Sequence, residues 1–368
     1  MTAARRAALR ALLPTGVDGL LVTDLVNVRY LTGFTGSNAA LLVHVDGDAQ
    51  SRLCTDGRYR AQVAAEVPDL ETVIERACAL TLAGLAAELG IGALGFESDQ
   101  VTVDAHAALA EETEGTAALV RAPGLVQQLR MVKDDAELVA LRTACAIADA
   151  AFAELIEHGG LAPGRTEAEV ALDLEYRMRA HGAAGPSFAS IVAAGPHSAV
   201  PHHSPTATPL RAGDFVKIDF GALVDGYHSD MTRTVVLGAA ADWQRELYAL
   251  VAAAQAAGRA ALSPGVEVAD VDAAARGVVV AAGRGEEFLH PLGHGVGLQI
   301  HEAPLLGATG SGRLAAGMAV TVEPGVYLEG RGGVRIEDTL VVTDGTPEVL
   351  TRFPKDLVEV QARTPRSP

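Results

Sequence analysis

Cysteines and aromatic residues are scarce in this chain of 368 residues, and acidic residues outnumber basic ones. Its three cysteines, Cys54, Cys78 and Cys145, form no CxxC pair, which is typical of buried free thiols in a reducing cytosol. The formal net charge of −17 disfavours nucleic acid as a partner, because an acidic surface repels phosphate groups. The sequence also lacks an apolar run long enough to span a membrane or direct secretion. We therefore expect a soluble, cytoplasmic protein with no membrane partner.

Several common catalytic motifs are absent as well. There is no GxSxG nucleophile elbow, no HExxH zinc motif and no P-loop lysine motif. The Gly-containing segments "GFTGSN" (33–38) and "GATGSG" (307–312) lack the strand–helix context of a nucleotide site, so we interpret both as turns.

The length exceeds what one hydrophobic core usually organises, which predicts two domains. In the first part, short β-rich runs alternate with helical stretches, as in an α/β domain with a mixed sheet. After a short first helix, strands are predicted at 19–23, 39–45, 70–75, 93–98 and 117–122, with helices at 80–90 and 104–114. A Pro-Gly step near residue 123 predicts the boundary between domains 1–123 and 124–368.

An internal repeat organises the second domain. After a long helix predicted at 134–158, "LAPGRTEAEVALDLEYRMRAHG" (161–182) matches "LSPGVEVADVDAAARGVVVAAG" (262–283) at a constant offset of 101. Further along, "DFGALVDG" (219–226) matches "EPGVYLEG" (323–330) at an offset of 104. The duplication predicts two α/β half-units related by pseudo-twofold symmetry, with their hairpins facing one another.

The first hairpin of the repeat carries acidic residues between apolar flanks. Asp225-Gly226 is a strong two-residue turn signal, and this turn would pair Asp219 with Thr232. Because side chains alternate along a strand, Asp230 then shares a face with Asp219, at roughly 7–8 Å between Cα atoms. Two buried carboxylates repel each other, and one takes up a proton unless a cation compensates them.

The second hairpin repeats the arrangement with Glu323 and Glu337. Asp338 is expected to point to the opposite face. Between the hairpins lies "FLHPLGHGVGLQIHEAP" (288–304), which contains His290, His294 and His301. Four acids and at least one imidazole form a ligand set for two divalent metal ions. The oxygen-rich set favours Mn(II), with Co(II) or Zn(II) as alternatives.

The order Asp219, Asp230, His294, Glu323, Glu337 resembles the pita-bread metallopeptidases, which include methionine aminopeptidase, aminopeptidase P and prolidase. The matching segments are "IDFGALVDGYHSDMTRT", "HPLGHGVGLQIHE", "VEPGVYL" and "VRIEDT". Upstream, "NVRYLTGFTGSNAALLV" and "TDGRY" look like the creatinase-type N-domain of Xaa-Pro peptidases. The resemblance covers nearly the whole chain. It implies a fold of mixed α/β and α+β class, with a creatinase-like α/β domain followed by a pseudo-twofold pita-bread catalytic domain.

The resemblance also implies the ligand roles. Asp219 would bind one ion, His294 and Glu323 the other, and Asp230 and Glu337 would bridge both.

The reaction implied by the resemblance is attack by a hydroxide that bridges the ions on the carbonyl before proline. Glu323 would also carry the proton to the leaving nitrogen. His301, and His202 in "IVAAGPHSAVPHHSPT" (191–206), would hold the substrate or stabilise the oxyanion. His290 would line the pocket, and Arg335 would orient a bridging carboxylate. For His203, which directly follows His202, the sequence leaves a structural and a functional role open.

Within the family, we favour an Xaa-Pro dipeptidase (prolidase) that acts on small peptides with proline at the second position. An aminopeptidase P, which cleaves longer peptides, is the alternative. Creatinase shares the fold but works without metal, and binding proteins that have lost catalysis usually lose metal ligands, whereas the full ligand pattern is present here. Family members usually pair through the N-domain, which implies a homodimer.

Overall fold

The computed structural model describes residues 1–361, and the chain divides into two compact units, Met1–Arg130 and a second unit that begins at Met131. The boundary at residue 123 stays a prediction. Residues 362–368, the end of the predicted second domain, lie outside the described residues. None of the helices in residues 1–361 combines the length and the apolar character that crossing a bilayer requires. All three cysteines are buried and free.

The first unit is an α/β structure built on one mixed sheet. Its strands are β1 (Gly19–Val22), β2 (Ala39–His44), β3 (Arg52–Thr55), β4 (Glu71–Ile74), β5 (Ala93–Phe96) and β6 (Ala118–Arg121). Its helices are α1 (Thr2–Leu12), α2 (Leu25–Thr32), α3 (Arg60–Glu66), α4 (Cys78–Gly84) and α5 (Val103–Glu112), and α6 (Leu125–Met131) ends on the first residue of the second unit. The strand order is β4-β3-β2-β1-β5-β6, and β2 runs antiparallel to both of its neighbours. The mixed sheet predicted from the sequence is therefore confirmed.

Strand β3 was not predicted. It lies inside the sheet, where Leu53 pairs with Leu41 of β2. Only Leu53 and Cys54 are apolar in this four-residue strand, too short a run for its period to be recognised. Pairing with its neighbouring strands stabilises β3, although its own sequence does not indicate a strand.

The second unit contains four long helices and many short strands. The helices are α7 (Asp135–Glu157), α8 (Glu167–Ala180), α9 (Asp242–Ala261) and α10 (Val268–Ala281). The strands are β7 (Gly185–Pro186), β8 (Ile191–Ala194), β9 (Phe215–Phe220), β10 (Ala222–Val224), β11 (Tyr227–His228), β12 (Met231–Leu237), β13 (Gly293–Gly295), β14 (Glu302–Leu306), β15 (Ala319–Val322), β16 (Gly325–Leu328), β17 (Gly332–Arg335), β18 (Asp338–Val341), β19 (Glu348–Val349) and β20 (Glu359–Val360).

The internal repeat is visible in the hydrogen bonds of the second unit. The helix pair α7–α8 accompanies the antiparallel strands β8-β9-β12, and the pair α9–α10 accompanies β13-β15-β18. Before α8, Gly164 N donates to Leu210 O at 2.9 Å; before α10, Gly265 N donates to Leu314 O at 2.8 Å. These donors and acceptors are separated by the offsets of 101 and 104 found in the sequence. The pseudo-twofold pair of half-units is confirmed.

Each half-unit has its own hydrophobic core. Val251, Val279 and Val320 belong to the core of the second half. In the first half, Phe152 of α7 is fully buried and packs against Phe220 and Phe353, with ring centroids 5.1 and 4.7 Å away. The two cores support the strands that carry the acidic residues.

The turn between β10 and β11 forms as its sequence predicts. Asp225 and Gly226 have φ angles of 50° and 80°, the left-handed pair that a two-residue hairpin of type I′ requires. Thr232 pairs with Asp219 in the predicted register. Asp219 and Asp230 are thereby fixed relative to one another by local turn chemistry.

Replacing Phe152 with alanine should destabilise the second unit by about 3–5 kcal/mol, because it removes a fully buried ring from between two others. Leu172→Ala is the matched control, since Leu172 is 70% exposed and should change stability by less than about 0.5 kcal/mol. Urea unfolding followed by circular dichroism measures both. Equal losses in the two variants would contradict this account of the core.

Candidate metal centre and active site

The residues singled out from the sequence converge on one cavity of about 390 Å³ in the second unit. All of them line it: His202, Asp219, Asp230, His290, His294, His301, Glu323, Arg335 and Glu337. The sequence did not identify the apolar part of the lining, which includes Phe188, Ile191, Ile300 and Leu305. The structure thus brings the candidates together, while their individual roles stay predictions.

The acids come from the ends of strands in both half-units. Asp219 lies on β9, and Asp230 directly precedes β12. In the other half, Glu323 directly follows β15 and Glu337 directly precedes β18. Strand ends of facing sheets can therefore present four carboxylates to the same space.

Asp338 points away from this cavity, as the alternation of the strand predicts. Its carboxylate accepts hydrogen bonds from Arg233 at 2.8 Å and Gln255 at 2.9 Å, and it forms an ion pair with Lys355 at 2.6 Å. These buried bonds fix β18 on the side away from the cavity, so that the adjacent Glu337 faces the cavity.

The carboxylates of the cavity are electrostatically strained. Burial raises the pKa of Asp230 well above its usual range, and the nearby carboxylates, Glu337 foremost, raise it further. Burial likewise raises the pKa of Glu337, with Glu323 next in effect. The buried oxygens Asp219 Oδ1 and Glu337 Oε1 have no hydrogen-bond partner within residues 1–361. Buried carboxyl oxygens without a hydrogen-bond partner fit a cation.

The glycines that flank His294 allow its strand to approach its neighbours. A Cβ atom at Gly293 would lie 2.0 Å from Thr321 O, and one at Gly295 would lie 2.1 Å from Ala303 O. His294 therefore lies on a strand held between β14 and β15. A residue larger than glycine at position 293 or 295 would clash with these neighbours.

His294 has the geometry of a metal ligand. Its Nδ1 lies 3.0 Å from Gly295 O, and because a carbonyl only accepts, Nδ1 carries the hydrogen. Its Nε2 faces Glu323 Oε1 at 3.3 Å and Asp230 Oδ2 at 3.5 Å. Burial would lower the pKa of the ring, but the hydrogen bond and charge of Glu323 raise it, so Nε2 carries a proton in the metal-free protein, and loss of that proton leaves a lone pair for an ion. A hydrogen bond that fixes the tautomer in this way is usual for a ligating imidazole. Donor atoms of Asp230, His294 and Glu337 also lie within 4.8 Å of one another, so the donor set fits divalent cations.

The cage is the set of Asp219, Asp230, Glu323, Glu337 and His294. Arg335 was expected to orient one of its bridging carboxylates, but it contacts the cage in a different way. Its Nη2 binds Asp219 Oδ2 at 2.5 Å, whereas it reaches Glu337 only through Thr232. Thr232 Oγ1 accepts from Arg335 Nε at 2.9 Å and donates to Glu337 Oε2 at 2.7 Å. Sequence reasoning missed the role of Thr232, although the predicted register already placed it opposite Asp219.

The histidines occupy different positions around the cage. His290 Nδ1 donates to Pro291 O and its Nε2 accepts from Tyr327 at 2.8 Å, and burial lowers the pKa of its ring. His301 packs edge-on against His294 at 4.4 Å between ring centroids. His202 and His301 are exposed, so both rings are accessible to a molecule that enters the cavity.

Four carboxylates and one imidazole around a partly apolar cavity define a class of protein, the hydrolytic metalloenzymes whose ions are held mainly by oxygen ligands. Comparison with family models agrees: residues 139–344 match metallopeptidase family M24, and residues 5–132 match the creatinase/prolidase N-terminal domain. The chain belongs to metallopeptidase family M24. This family implies divalent metal ions, and the pita-bread fold expected from the resemblance is confirmed.

The relatives are similar over nearly their whole length. The chain is 41% identical to the uncharacterized peptidase YqhT of Bacillus subtilis, over 93% of this chain and 96% of that protein. It is 39% identical to the solved Xaa-Pro dipeptidase from Bacillus anthracis, with a TM-score of 0.92 and coverage of 98% and 100%. It is 34% identical to the X-Pro aminopeptidase structure from Thermotoga maritima, with a TM-score of 0.86 and coverage of 94% and 98%.

Glu337→Gln should raise the melting temperature of chelator-treated protein and reduce the further rise caused by divalent ions. The pKa of Glu337 is raised in the folded state, so the native protein loses stability as pH increases above the unfolded value. A neutral amide removes that loss, and the advantage of the variant should grow between about pH 5 and about pH 8.

Glu329→Gln is the matched control, since Glu329 is an exposed acid at the neighbouring turn. In differential scanning fluorimetry it should change neither the melting temperature of chelator-treated protein nor the further rise caused by divalent ions. A Glu337→Gln protein that is less stable in chelator, yet keeps the full gain with metal, would show that the carboxylate is not part of the cage.

Proposed function

We propose that this protein is a metal-dependent Xaa-Pro dipeptidase, a prolidase that hydrolyses the bond before proline in small peptides. The observation that carries the proposal is that every candidate ligand lines one cavity together with His202, His301 and Arg335. Membership of family M24 and the similarity to an Xaa-Pro dipeptidase structure support it.

The cage would hold two divalent ions, for which we propose Mn(II) because oxygen ligands outnumber nitrogen. Asp219 would bind one ion, His294 and Glu323 the other, and Asp230 and Glu337 would contact both. When bound, divalent ions supply a water of lowered pKa and an electrophilic contact for the scissile carbonyl. The raised pKa values of Asp230 and Glu337 imply that protons compete with metal at these carboxylates.

Glu323 is the proposed proton carrier. Burial alone would raise the pKa of its carboxyl, but the hydrogen bond and charge of His294 lower it to about 2. The carboxylate is therefore ionised in the metal-free protein, and an ionised carboxylate is the form that can take a proton from the attacking water. It would return that proton to the prolyl nitrogen as the amide bond breaks.

The remaining lining residues would bind and orient the peptide. Exposed imidazoles of His202 and His301 can donate hydrogen bonds to the developing oxyanion or to the peptide carboxylate. The apolar wall, which includes Phe188 and Ile191, offers contact to a proline ring and to an apolar N-terminal side chain. Proline itself provides a tertiary amide with a fixed φ angle, which suits a preformed cavity.

An aminopeptidase P that acts on longer peptides is the second candidate. The similarity to the X-Pro aminopeptidase structure from Thermotoga maritima favours it, because identity and coverage there are close to those for the dipeptidase. A catalytically inactive binding protein is a remote alternative, which the intact set of acids and imidazoles disfavours.

The location and assembly are also proposals. Three buried free cysteines support a reducing, cytoplasmic compartment.

A homodimer follows from the resemblance of the N-terminal domain to those through which family members usually pair. A clean monomer mass in light scattering would contradict the dimer.

The first test uses chelator-treated protein with and without added Mn(II), on Ala-Pro and on Ala-Pro-Ala. We expect Mn(II)-dependent release of alanine from Ala-Pro, with little from the tripeptide, because a dipeptidase requires the free proline carboxylate. Efficient cleavage of Ala-Pro-Ala would make the protein an aminopeptidase P. If neither peptide is cut and Mn(II) changes nothing, the peptidase proposal fails.

Glu323→Gln should lower kcat by about 10²–10⁴-fold at saturating Mn(II), because the amide cannot carry the proton. Metal content measured alongside separates lost proton transfer from lost metal, and Glu329→Gln serves again as the exposed control. A variant with full metal content and more than about one tenth of the original kcat would remove Glu323 from the proton-transfer step.

A further inference from the structure

A buried carboxylate outside the cavity holds the segment that carries His202. Glu167 lies in the first turn of α8, and its side chain is fully buried. Its Oε1 accepts hydrogen bonds from Ala194 N and from His197 Nδ1, both at 2.9 Å. Glu167 does not line the cavity, and the proposed reaction gives it no role.

The second oxygen of Glu167 binds the far side of the same segment. Oε2 accepts from His203 Nε2 at 2.9 Å, from Thr206 N at 3.0 Å and from Thr206 Oγ1 at 2.7 Å. One carboxylate therefore joins both ends of residues 194–206, the connection in which His202 lies. A backbone loop tied at several points to one buried group cannot shift without breaking those bonds.

The electrostatics of Glu167 support a permanent anchor. Burial would raise the pKa of this carboxyl, but the hydrogen bonds, led by that of Thr206, lower it to about 2. Because an ionised carboxylate only accepts, His197 Nδ1 and His203 Nε2 must each carry a hydrogen. The tautomers of both rings are thus fixed, and the rings stack with centroids 4.3 Å apart.

Two basic side chains hold the segment on the other side of His202. The carbonyl oxygen of Pro201 accepts from Arg335 Nη1 and from Lys217 Nζ, both at 3.1 Å. His202 therefore lies between Pro201, bound by these two side chains, and His203, bound by Glu167. The chain is therefore held within one residue on each side of His202, through the Pro201 carbonyl and through the His203 side chain.

We propose that Glu167 is a positioning residue, which acts through His203 and residues 194–206 to fix the orientation of His202 in the cavity. The inference rests on the proposed function, because it assigns the effect of Glu167 to substrate hydrolysis through His202. A metal site is the competing interpretation, since donor atoms of Glu167, His197 and His203 lie within 4.8 Å of one another. Positioning is favoured because N–H and O–H donors already occupy both oxygens of Glu167.

Glu167→Gln tests the proposal, because an amide replaces one acceptor oxygen by an NH₂ group that faces N–H donors. We expect kcat on Ala-Pro to fall by about 10–100-fold, with Mn(II) binding unchanged. Glu169→Gln is the matched control: it removes the same charge from the same helical turn, but Glu169 is exposed and bonds only to Thr166 among the contacts described for its side chain. The control should change kcat by less than about 2-fold.

A double-mutant cycle with His202→Ala distinguishes positioning from a general structural effect. If Glu167 acts through His202, Glu167→Gln should lower kcat by less than about 2-fold in the His202→Ala background. If it loosens the fold generally, the two losses should multiply, and the proposal is overturned. His203→Ala should reproduce the effect of Glu167→Gln, and it carries the test if that variant does not fold.

A spectroscopic measurement separates this proposal from the proposed function. In nitrogen-labelled histidine spectra, the His202 resonance is identified by its loss in His202→Ala. It should shift in Glu167→Gln and stay unchanged in Glu169→Gln. If the wild type cleaves no Xaa-Pro peptide, the proposed function is wrong. The positioning role of Glu167 is then judged from this shift alone. An unshifted resonance, or Zn(II) binding to the wild type that His203→Ala abolishes, would overturn the proposal.

Discussion

The mutual repulsion of buried carboxylates is the constraint on which the second unit depends. Asp219, Asp230, Glu323 and Glu337 line one cavity, and burial multiplies the cost of placing like charges together. The protein compensates only part of this charge, by Arg335 at one end and His294 at the other. The remaining carboxylates have raised pKa values, so the cage is favourable only with protons or metal cations. Metal binding and stability are consequently linked.

Duplication is the means by which the chain brings these charges together. A single hairpin supplies two acids, whereas two facing half-units supply four without a long insertion. The halves are not identical, because Asp219 pairs with Thr232 while the ladder that pairs Val322 with Asp338 places Glu323 opposite Glu337. The second pair of acids therefore lies at directly opposed positions of the ladder, whereas the first pair is diagonal. His294, which is hydrogen-bonded to Glu323, belongs to the same half-unit as this second pair and offsets part of its charge.

Local signals in the sequence were sufficient for the cage but not for its supports. The turn at Asp225-Gly226 and the alternation along strands fixed which acids share a face, and the structure places them in one cavity. Strand β3 and the contacts of Glu167 were not predictable in the same way. In the sequence, Glu167 is an acid in the first turn of a helix, a common position that implies no partner. Its real partners lie some thirty residues later, and only tertiary structure brings them together.

One guanidinium connects the cage to the segment that carries His202. Arg335 Nη2 binds Asp219, while Nη1 binds both Tyr327 OH and the carbonyl of Pro201. The planar fork of arginine can satisfy these directions at once, whereas a lysine would offer a single compact charge. A displacement of Asp219 would thus be transmitted to the residue preceding His202. The charge that stabilises the metal-free cage and the bond that holds the residue preceding His202 are properties of the same side chain, so the carboxylates and the wall that carries His202 cannot be treated as separate parts of the site.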